Sequence, residues 1–405
     1  MFSYHINLTS RIYNILGKSK RNFFNTINFC TDSVIVYLFK FISKKKKPIN
    51  LCIVRLDVIG DFFLWSYYIE SILEHYKENA YSKTILIAEN SWANYAKHHY
   101  TFNEVISIKR AKFRMNPIYR VKVLIKLLKF EAQVILKPSY TREVSLEESI
   151  VRCMTSKTKI GYLPVNQGNE WRFWEKISES WFTTCIEGDT KIISEIEKNS
   201  YFLEQLQIKK KEIKLGYLDS KHPSFIIQSK YFIIFPGASV GRKKWGVQNF
   251  ASLINRILEV TDLCCIICGS SSDIEISNSI TNLVRTPNRI YNEAGKTSLS
   301  KLLTVIENAE ILIGNDTSGI HIAAAVGTKS ICILGGGHFG RFLPYPSYLE
   351  PKEFQPVVVY ENMACFGCDW KCKYTLSYNE PVPCITNVSV DAVFSKFKDC
   401  YSLSI

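Results

Sequence analysis

From residue 51 onward the chain alternates short runs of β-branched and apolar residues with longer amphipathic stretches, and it does so in two successive blocks. Parallel strands cannot be joined by a hairpin and need a crossover, usually a helix, so this rhythm restricts the chain to doubly wound parallel sheets. In the first block Leu51–Leu56 reads as a buried strand ending in the turn Asp57-Val58-Ile59-Gly60, and a helix is predicted over Asp61–Tyr76. Strands recur at Thr84–Ala88, Glu104–Ile108 and Gln133–Leu136, with a helix over Pro117–Lys129. The second block predicts strands at Tyr231–Phe235, Leu263–Cys268, Ile311–Gly314 and Ser330–Leu334. Helices are predicted at Val247–Leu258, Asp273–Leu283, Ser298–Asn308 and Thr317–Val326. Residues 140–225 are less regular and read as an insertion plus a linker. The expected division is a basic, aromatic extension over 1–50, a Rossmann-like domain over 51–225, a second over 226–384, and a C-terminal helix over 385–405. Ligands of such sheets bind beyond the carboxyl ends of the strands.

Charge is unevenly spread. Residues 1–50 hold nine Lys or Arg against the single acid Asp32, more than half of the formal net charge of +14. Phe, Tyr, Ile and Leu interleave with these basic residues, a combination that suits an anionic membrane surface, with a solvated surface helix followed by a lysine-rich linker the alternative. Nucleic acid is disfavoured because no base-reading motif accompanies the charge. No stretch has the eighteen or so apolar residues of a spanning helix, and Val34–Phe39 is far too short. No signal peptide is evident. The expectation is a cytoplasmic protein, peripheral on the inner face of the cytoplasmic membrane. Of the thirteen cysteines, Cys52, Cys264, Cys265, Cys268 and Cys332 lie in apolar strand-like runs, as small hydrophobes do. Scattered thiols suit a reducing compartment.

Three constellations stand where strands end. In Arg55-Leu56-Asp57-Val58-Ile59-Gly60-Asp61, Gly60 permits a tight turn. Asp61 then stands at the start of the helix, either as a cap or as a general base. In Pro236-Gly237-Ala238-Ser239 with Arg242-Lys243-Lys244-Trp245, a small-residue turn exposes backbone N–H groups beside lysines, either a diphosphate site or a solvated basic loop. In Gly314-Asn315-Asp316-Thr317-Ser318-Gly319-Ile320-His321, the first helical turn would offer the amides of Thr317, Ser318 and Gly319 to an anion, with Asp316 as a plain cap the alternative.

These motifs, with Gly295-Lys296-Thr297-Ser298-Leu299 between the second and third, resemble those of glycosyltransferase family 9, the ADP-heptose–lipopolysaccharide heptosyltransferase family, from about residue 51 to the C-terminus. The resemblance implies the GT-B fold, an α/β architecture of two Rossmann-like domains facing across a cleft. It also implies inversion at the anomeric carbon and no metal required for catalysis. By the same resemblance Asp61 stands where the family's proposed base lies, and Gly237, Ser239 and Lys243 stand where the donor diphosphate is held. Asp273 falls near a ribose-binding acid, and Asp316, Thr317, Ser318, Gly319 and His321 match the donor loop. Two departures bear on the substrate. Asp57 adds a second carboxylate, an alternative base or an acceptor contact. Leu334-Gly335-Gly336-Gly337-His338-Phe339-Gly340-Arg341-Phe342 is unlike the usual heptosyltransferase sequence, and its Gly336, His338 and Arg341 read either as a ligand loop or as part of a flexible glycine loop.

Cys365, Cys368, Cys372 and Cys384 could supply four thiolates to a structural zinc, with free thiols or disulfides the alternatives. The reading that follows is an inverting glycosyltransferase. It would move heptose or another sugar from a nucleotide diphosphate donor, ADP-heptose or other, to lipopolysaccharide or another lipid-linked or polysaccharide envelope acceptor. The rivals are a non-catalytic nucleotide-sugar or glycan-binding protein and a nucleotide-sugar epimerase of the same fold.

Overall fold

The structure, a computed structural model, describes residues 22–39, 46–77, 82–163, 172–220, 229–374 and 380–401. The chain divides into two compact units. The first runs to Ile192 and takes in Glu197–Lys211; the second is Ile193–Ile196 with Glu212–Ile405.

The first unit holds β1 (Lys47–Arg55), β2 (Thr84–Glu89), β3 (Glu104–Ile108), β4 (Phe130–Lys137), β5 (Thr155–Leu163) and β6 (Thr184–Glu187). They form a parallel sheet in the order β3-β2-β1-β4-β5-β6. The order reverses between β1 and β4, so side chains at the carboxyl ends of those two strands flank a natural crevice. Leu51–Val54 of β1 are fully buried, as a central parallel strand covered on both faces requires. β5 and β6 lie in the stretch expected to be an insertion and linker. The first half of β5 is polar and half-exposed, and β6 buries only Ile186, so neither shows the apolar run of a central strand.

Three other expectations change. The helix expected over Asp61–Tyr76 is two helices, Ile59–Ser66 and Ile69–His75. Between them Tyr68 N–H donates to Trp65 O at 2.9 Å, a tightened turn after which Tyr68, Ile69 and Ile72 are all buried. Residues 22–39, assigned to the basic extension, form a helix docked on the first unit. Its Asp32 meets Arg120 in a two-pronged pair, Nε–Oδ1 2.6 Å and Nη2–Oδ2 2.7 Å, with both side chains buried. Residues 1–21 and 40–45 of that extension lie outside the described residues. The boundary between units falls at residue 212, not 225. Leu215, Gly216 and Leu218 donate backbone bonds to Glu350, Ala324 and Ala325 of the second unit.

The second unit repeats the topology with β7 (Tyr231–Phe235), β8 (Cys264–Ile267), β9 (Ile290–Asn292), β10 (Ile311–Asn315), β11 (Ser330–Ile333) and β12 (Val357–Val359), in the order β12-β11-β10-β7-β8-β9. Here the order reverses between β7 and β10. The edge strands β9 and β12 are three residues each, too short to announce themselves by periodicity. The helix Val390–Tyr401 is part of this unit, since Val393, Phe394 and Phe397 share one core with Phe232, Ile254 and Ile313.

Candidate functional site

In the second unit the two turns at the switch point are locked by a residue that sequence reasoning passed over. Asn315 is fully buried at the end of β10. Its amide Nδ2 donates to Pro236 O at 2.7 Å, and its Oδ1 accepts from Trp245 N at 3.2 Å. One side chain therefore holds the β7 turn, the basic turn Gly241–Lys243 and the β10 turn together. Its position inside the third motif was the available signal.

Around that lock, Lys243 Nζ lies 2.7 Å from Asp316 Oδ2, with both side chains mostly buried. Asp316 restrains a long flexible chain, and an ammonium with three N–H groups keeps donors for a second acceptor. The Trp370 ring lies 5.1 Å from the same ammonium, a contact no sequence motif indicated. Thr317 stands at the N-cap of the helix Ser318–Val326, yet its side chain makes no cap bond and its Oγ1 is buried without a partner. A buried hydroxyl and open amides beside a held cation are what an anionic oxygen would satisfy. Gly319 is required here, because a Cβ would come within 2.8 Å of the Phe235 ring. Ser239 is exposed on the β7 turn.

Several predicted residues have other employment. Asp273 sits beneath Gly237, where a Cβ would meet its carboxylate at 2.4 Å. Its Oδ2 accepts from Ser270 N at 2.8 Å and Ser270 Oγ at 2.7 Å, a reciprocal cap that gives this carboxylate a structural role. His321 is buried, with Nδ1 2.8 Å from the Tyr345 hydroxyl. Burial lowers its pKa to about 4, so it presents a neutral imidazole and not a cation in the first turn of the helix Ser318–Val326. Arg341 pairs with Glu195, Nε–Oε2 3.0 Å, and stacks on Phe342. His338 Nε2 lies 2.9 Å from Asp369 Oδ1, while its Nδ1 is buried without a partner. Desolvation lowers the His338 pKa despite that carboxylate.

Cys365, Cys368, Cys372 and Cys384 converge on one small cavity with Gly336 and Trp370. They are free thiols. Among the described residues no set of three Cys, His, Asp or Glu side chains is placed to hold a metal ion. Gly336 N–H points at Cys384 Sγ, 3.4 Å away, and burial is the leading cause that raises the Cys368 and Cys384 pKa values.

In the first unit Asp61 is half-buried as the third residue of the helix Ile59–Ser66, whose N-cap is Val58 with no side-chain cap bond. It is therefore not the cap. Asp57 is committed to Arg55, Oδ2–Nε 2.6 Å, and that guanidinium is buried over Trp65. This commitment disfavours Asp57 as a base. The loop bearing both acids is fastened from below by Glu147, which accepts from Leu56 N at 2.6 Å and Ser139 Oγ at 2.7 Å. Burial, and then the negative charge of Asp57, push the Glu147 pKa up to about 7. Lys137, buried at the end of β4, donates to Ser139 O at 2.6 Å and Thr141 O at 2.8 Å. Nothing in the local sequence of residues 137–148 marked this charge network, which exists only because β1 and β4 are neighbours.

The structure thus defines an α/β protein of two doubly wound units, each with polar residues gathered at its switch point. Residues 148–353, more than half of the chain, match glycosyltransferase family 9 (heptosyltransferase), and the chain belongs to that family. It is similar to lipooligosaccharide heptosyltransferase 2 of Campylobacter jejuni, with 26% identity over 181 residues covering 43% of this chain and 54% of that one. The chain thus spans about half the length, or less, of the curated relatives it matches. Its fold is shared with a family 9 glycosyltransferase from Veillonella parvula (TM-score 0.65, 14% identity, 89% of this chain and 98% of that one). It is also shared with Escherichia coli heptosyltransferase WaaC, solved with ADP (TM-score 0.64, 14% identity, 87% of this chain and 100% of that one).

Proposed function

We propose that the chain is an inverting, metal-independent glycosyltransferase that moves heptose or a related sugar from a nucleotide diphosphate donor to lipopolysaccharide or another envelope glycan. Family membership supports the class of reaction, and ADP bound to the WaaC of E. coli supports an ADP-sugar as the donor. The observation that carries the reading is the Lys243–Asp316 pair beside the unpartnered Thr317 hydroxyl at the start of the helix Ser318–Val326. In the reaction, the Asp61 carboxylate takes the proton of the acceptor hydroxyl. That oxygen forms a bond to the anomeric carbon, and the bond from this carbon to the diphosphate breaks. The electron pair leaves with the nucleoside diphosphate, whose growing charge is met by Lys243 and the helix amides. An ammonium and oriented amides thereby perform the charge neutralisation that a divalent ion provides elsewhere.

The test is a thermal-shift series with ADP, UDP, GDP, CDP and TDP, with and without EDTA. A ligand of the folded state raises the melting temperature. Selective stabilisation by one nucleotide, equal in EDTA, supports a metal-independent donor site. No shift with any nucleotide, joined to no turnover of a nucleotide sugar, would replace the proposal with a non-catalytic binding protein.

A further inference from the structure

The helix over residues 22–39 has two faces, and only one is accounted for by the fold. Asn25, Asn28, Asp32, Ile35 and Phe39 recur every three or four residues and are buried against the first unit. Their placement is rigid. Asp32 is held by Arg120, Asn28 Nδ2 donates to Arg114 O at 3.1 Å, and the Arg152 guanidinium lies 3.7 Å over the Phe29 ring while bonding Phe29 O. The opposite face is formed by Phe23, Ile27, Cys30, Val34, Tyr37 and Leu38. Of these Phe23 is 61% exposed, Val34 58% and Leu38 51%.

A helix lying on a protein surface ordinarily presents charged residues to water. Between residues 22 and 39 the only charged side chain is Asp32, and it points inward. In the sequence this uncharged helix is bracketed by Lys18, Lys20 and Arg21 on one side and by Lys40 and Lys44–Lys47 on the other. An outer apolar stripe between basic clusters matches the boundary of an anionic bilayer, where acyl chains accept the stripe and headgroups accept the ammonium groups. A symmetric pairing of two copies through the same stripe would instead set basic cluster against basic cluster. Among the described residues no helix is long and apolar enough to cross a membrane.

We propose that the outward face of helix 22–39 seats the protein in the plane of an anionic lipid surface, through Phe23, Ile27, Val34 and Leu38. This goes beyond the transfer reaction and stands on packing and charge alone.

The experiment is flotation of the full chain with phosphatidylglycerol-containing vesicles and with neutral phosphatidylcholine vesicles. The wild type is expected to float with the anionic vesicles and much less with the neutral ones. The double variant Val34→Glu, Leu38→Glu, altered only at exposed positions, is expected to lose at least tenfold in vesicle affinity with unchanged circular dichroism and melting temperature. If that variant misfolds, Lys18→Gln, Lys20→Gln, Arg21→Gln serves in its place and is expected to bind less and with a weaker salt dependence. Undiminished flotation of a folded variant would overturn the proposal. So would a wild type that binds neither vesicle, including one that light scattering shows to be a dimer the glutamates dissociate. A variant that no longer floats but keeps its nucleotide-induced thermal shift separates this surface from the donor site. A wild type that floats but responds to no nucleotide counts against the proposed function and not against this surface.

Discussion

The ammonium of Lys243 and the carboxylate of Asp316, seventy-three residues apart in the chain, meet at 2.7 Å where the order of the second sheet reverses. The pair has two consequences. It fixes the lysine before any ligand arrives, and it keeps Asp316 from standing as an unopposed negative charge next to an incoming phosphate. Lys243→Met is therefore expected to weaken nucleotide diphosphate binding by tenfold or more, since a hydrogen bond to a charged group contributes about 1.5–3 kcal/mol. Isothermal titration with the nucleotide selected by the thermal-shift series measures it. Unchanged affinity would place the diphosphate elsewhere.

Asp61 and Asp57 are four residues apart and separable by their partners. Asp61→Asn is expected to leave donor affinity intact and to lower turnover by about 10²–10⁴, the usual worth of a positioned base. Asp57→Asn should act first on stability, because it strips the buried Arg55 of its counter-ion. Normal turnover in Asp61→Asn would move the base to another residue.

The Asp32–Arg120 pair should be costly to break. Asp32→Ala leaves a guanidinium buried with Ser149 Oγ and the carbonyls of Phe113 and Ser145 as its remaining partners. Removing one member of a buried pair costs about 3–5 kcal/mol. A urea denaturation midpoint within a few tenths molar of wild type would show that helix 22–39 contributes little to the first unit. For the same reason a truncation meant to leave the fold intact must stop before residue 22.

His321 predicts the direction of a pH effect. Its pKa falls from 6.5 in the unfolded chain to about 4 in the fold because burial disfavours the charged ring. Above pH 6.5 both states are neutral and the buried ring is tolerated in full. As pH falls from 6.5 towards 4 the unfolded chain takes up a proton that the folded chain does not, so stability is lost through that window. Melting temperatures of the wild type and His321→Gln should therefore converge on acidification from pH 7 to 4.5. A constant gap would mean that His321 is protonated normally in the fold.

How much of this was legible in the sequence follows from how far each signal reaches along the chain. A buried central strand must be apolar at every position, so β1, β7 and β10 announced themselves, and the turns that follow them carried the glycines and acids of the candidate site. A strand at or next to the edge of a sheet has no such obligation. β5, β6, β9 and β12 were invisible because one or both of their faces are partly wet. The same logic bears on the candidate site residues. Lys243, Asp316 and Thr317 belong to turns whose chemistry is local. Asp273, His321 and Arg341 are occupied by Ser270, Tyr345 and Glu195, and for the last two the partner is distant in sequence.

The sequence by itself determined that this chain makes two doubly wound sheets and that its polar turns fall at their strand ends, since hydrophobic period and turn chemistry are written within a few residues of where they act. Only the tertiary structure decided which side chains those turns keep for a ligand. The packing of strands and helices brought Glu147 under Leu56, Asn315 across to Pro236, and Asp32 into Arg120. Such pairings follow from which strands and helices become neighbours, and a buried polar atom is either satisfied there or left for a ligand to satisfy.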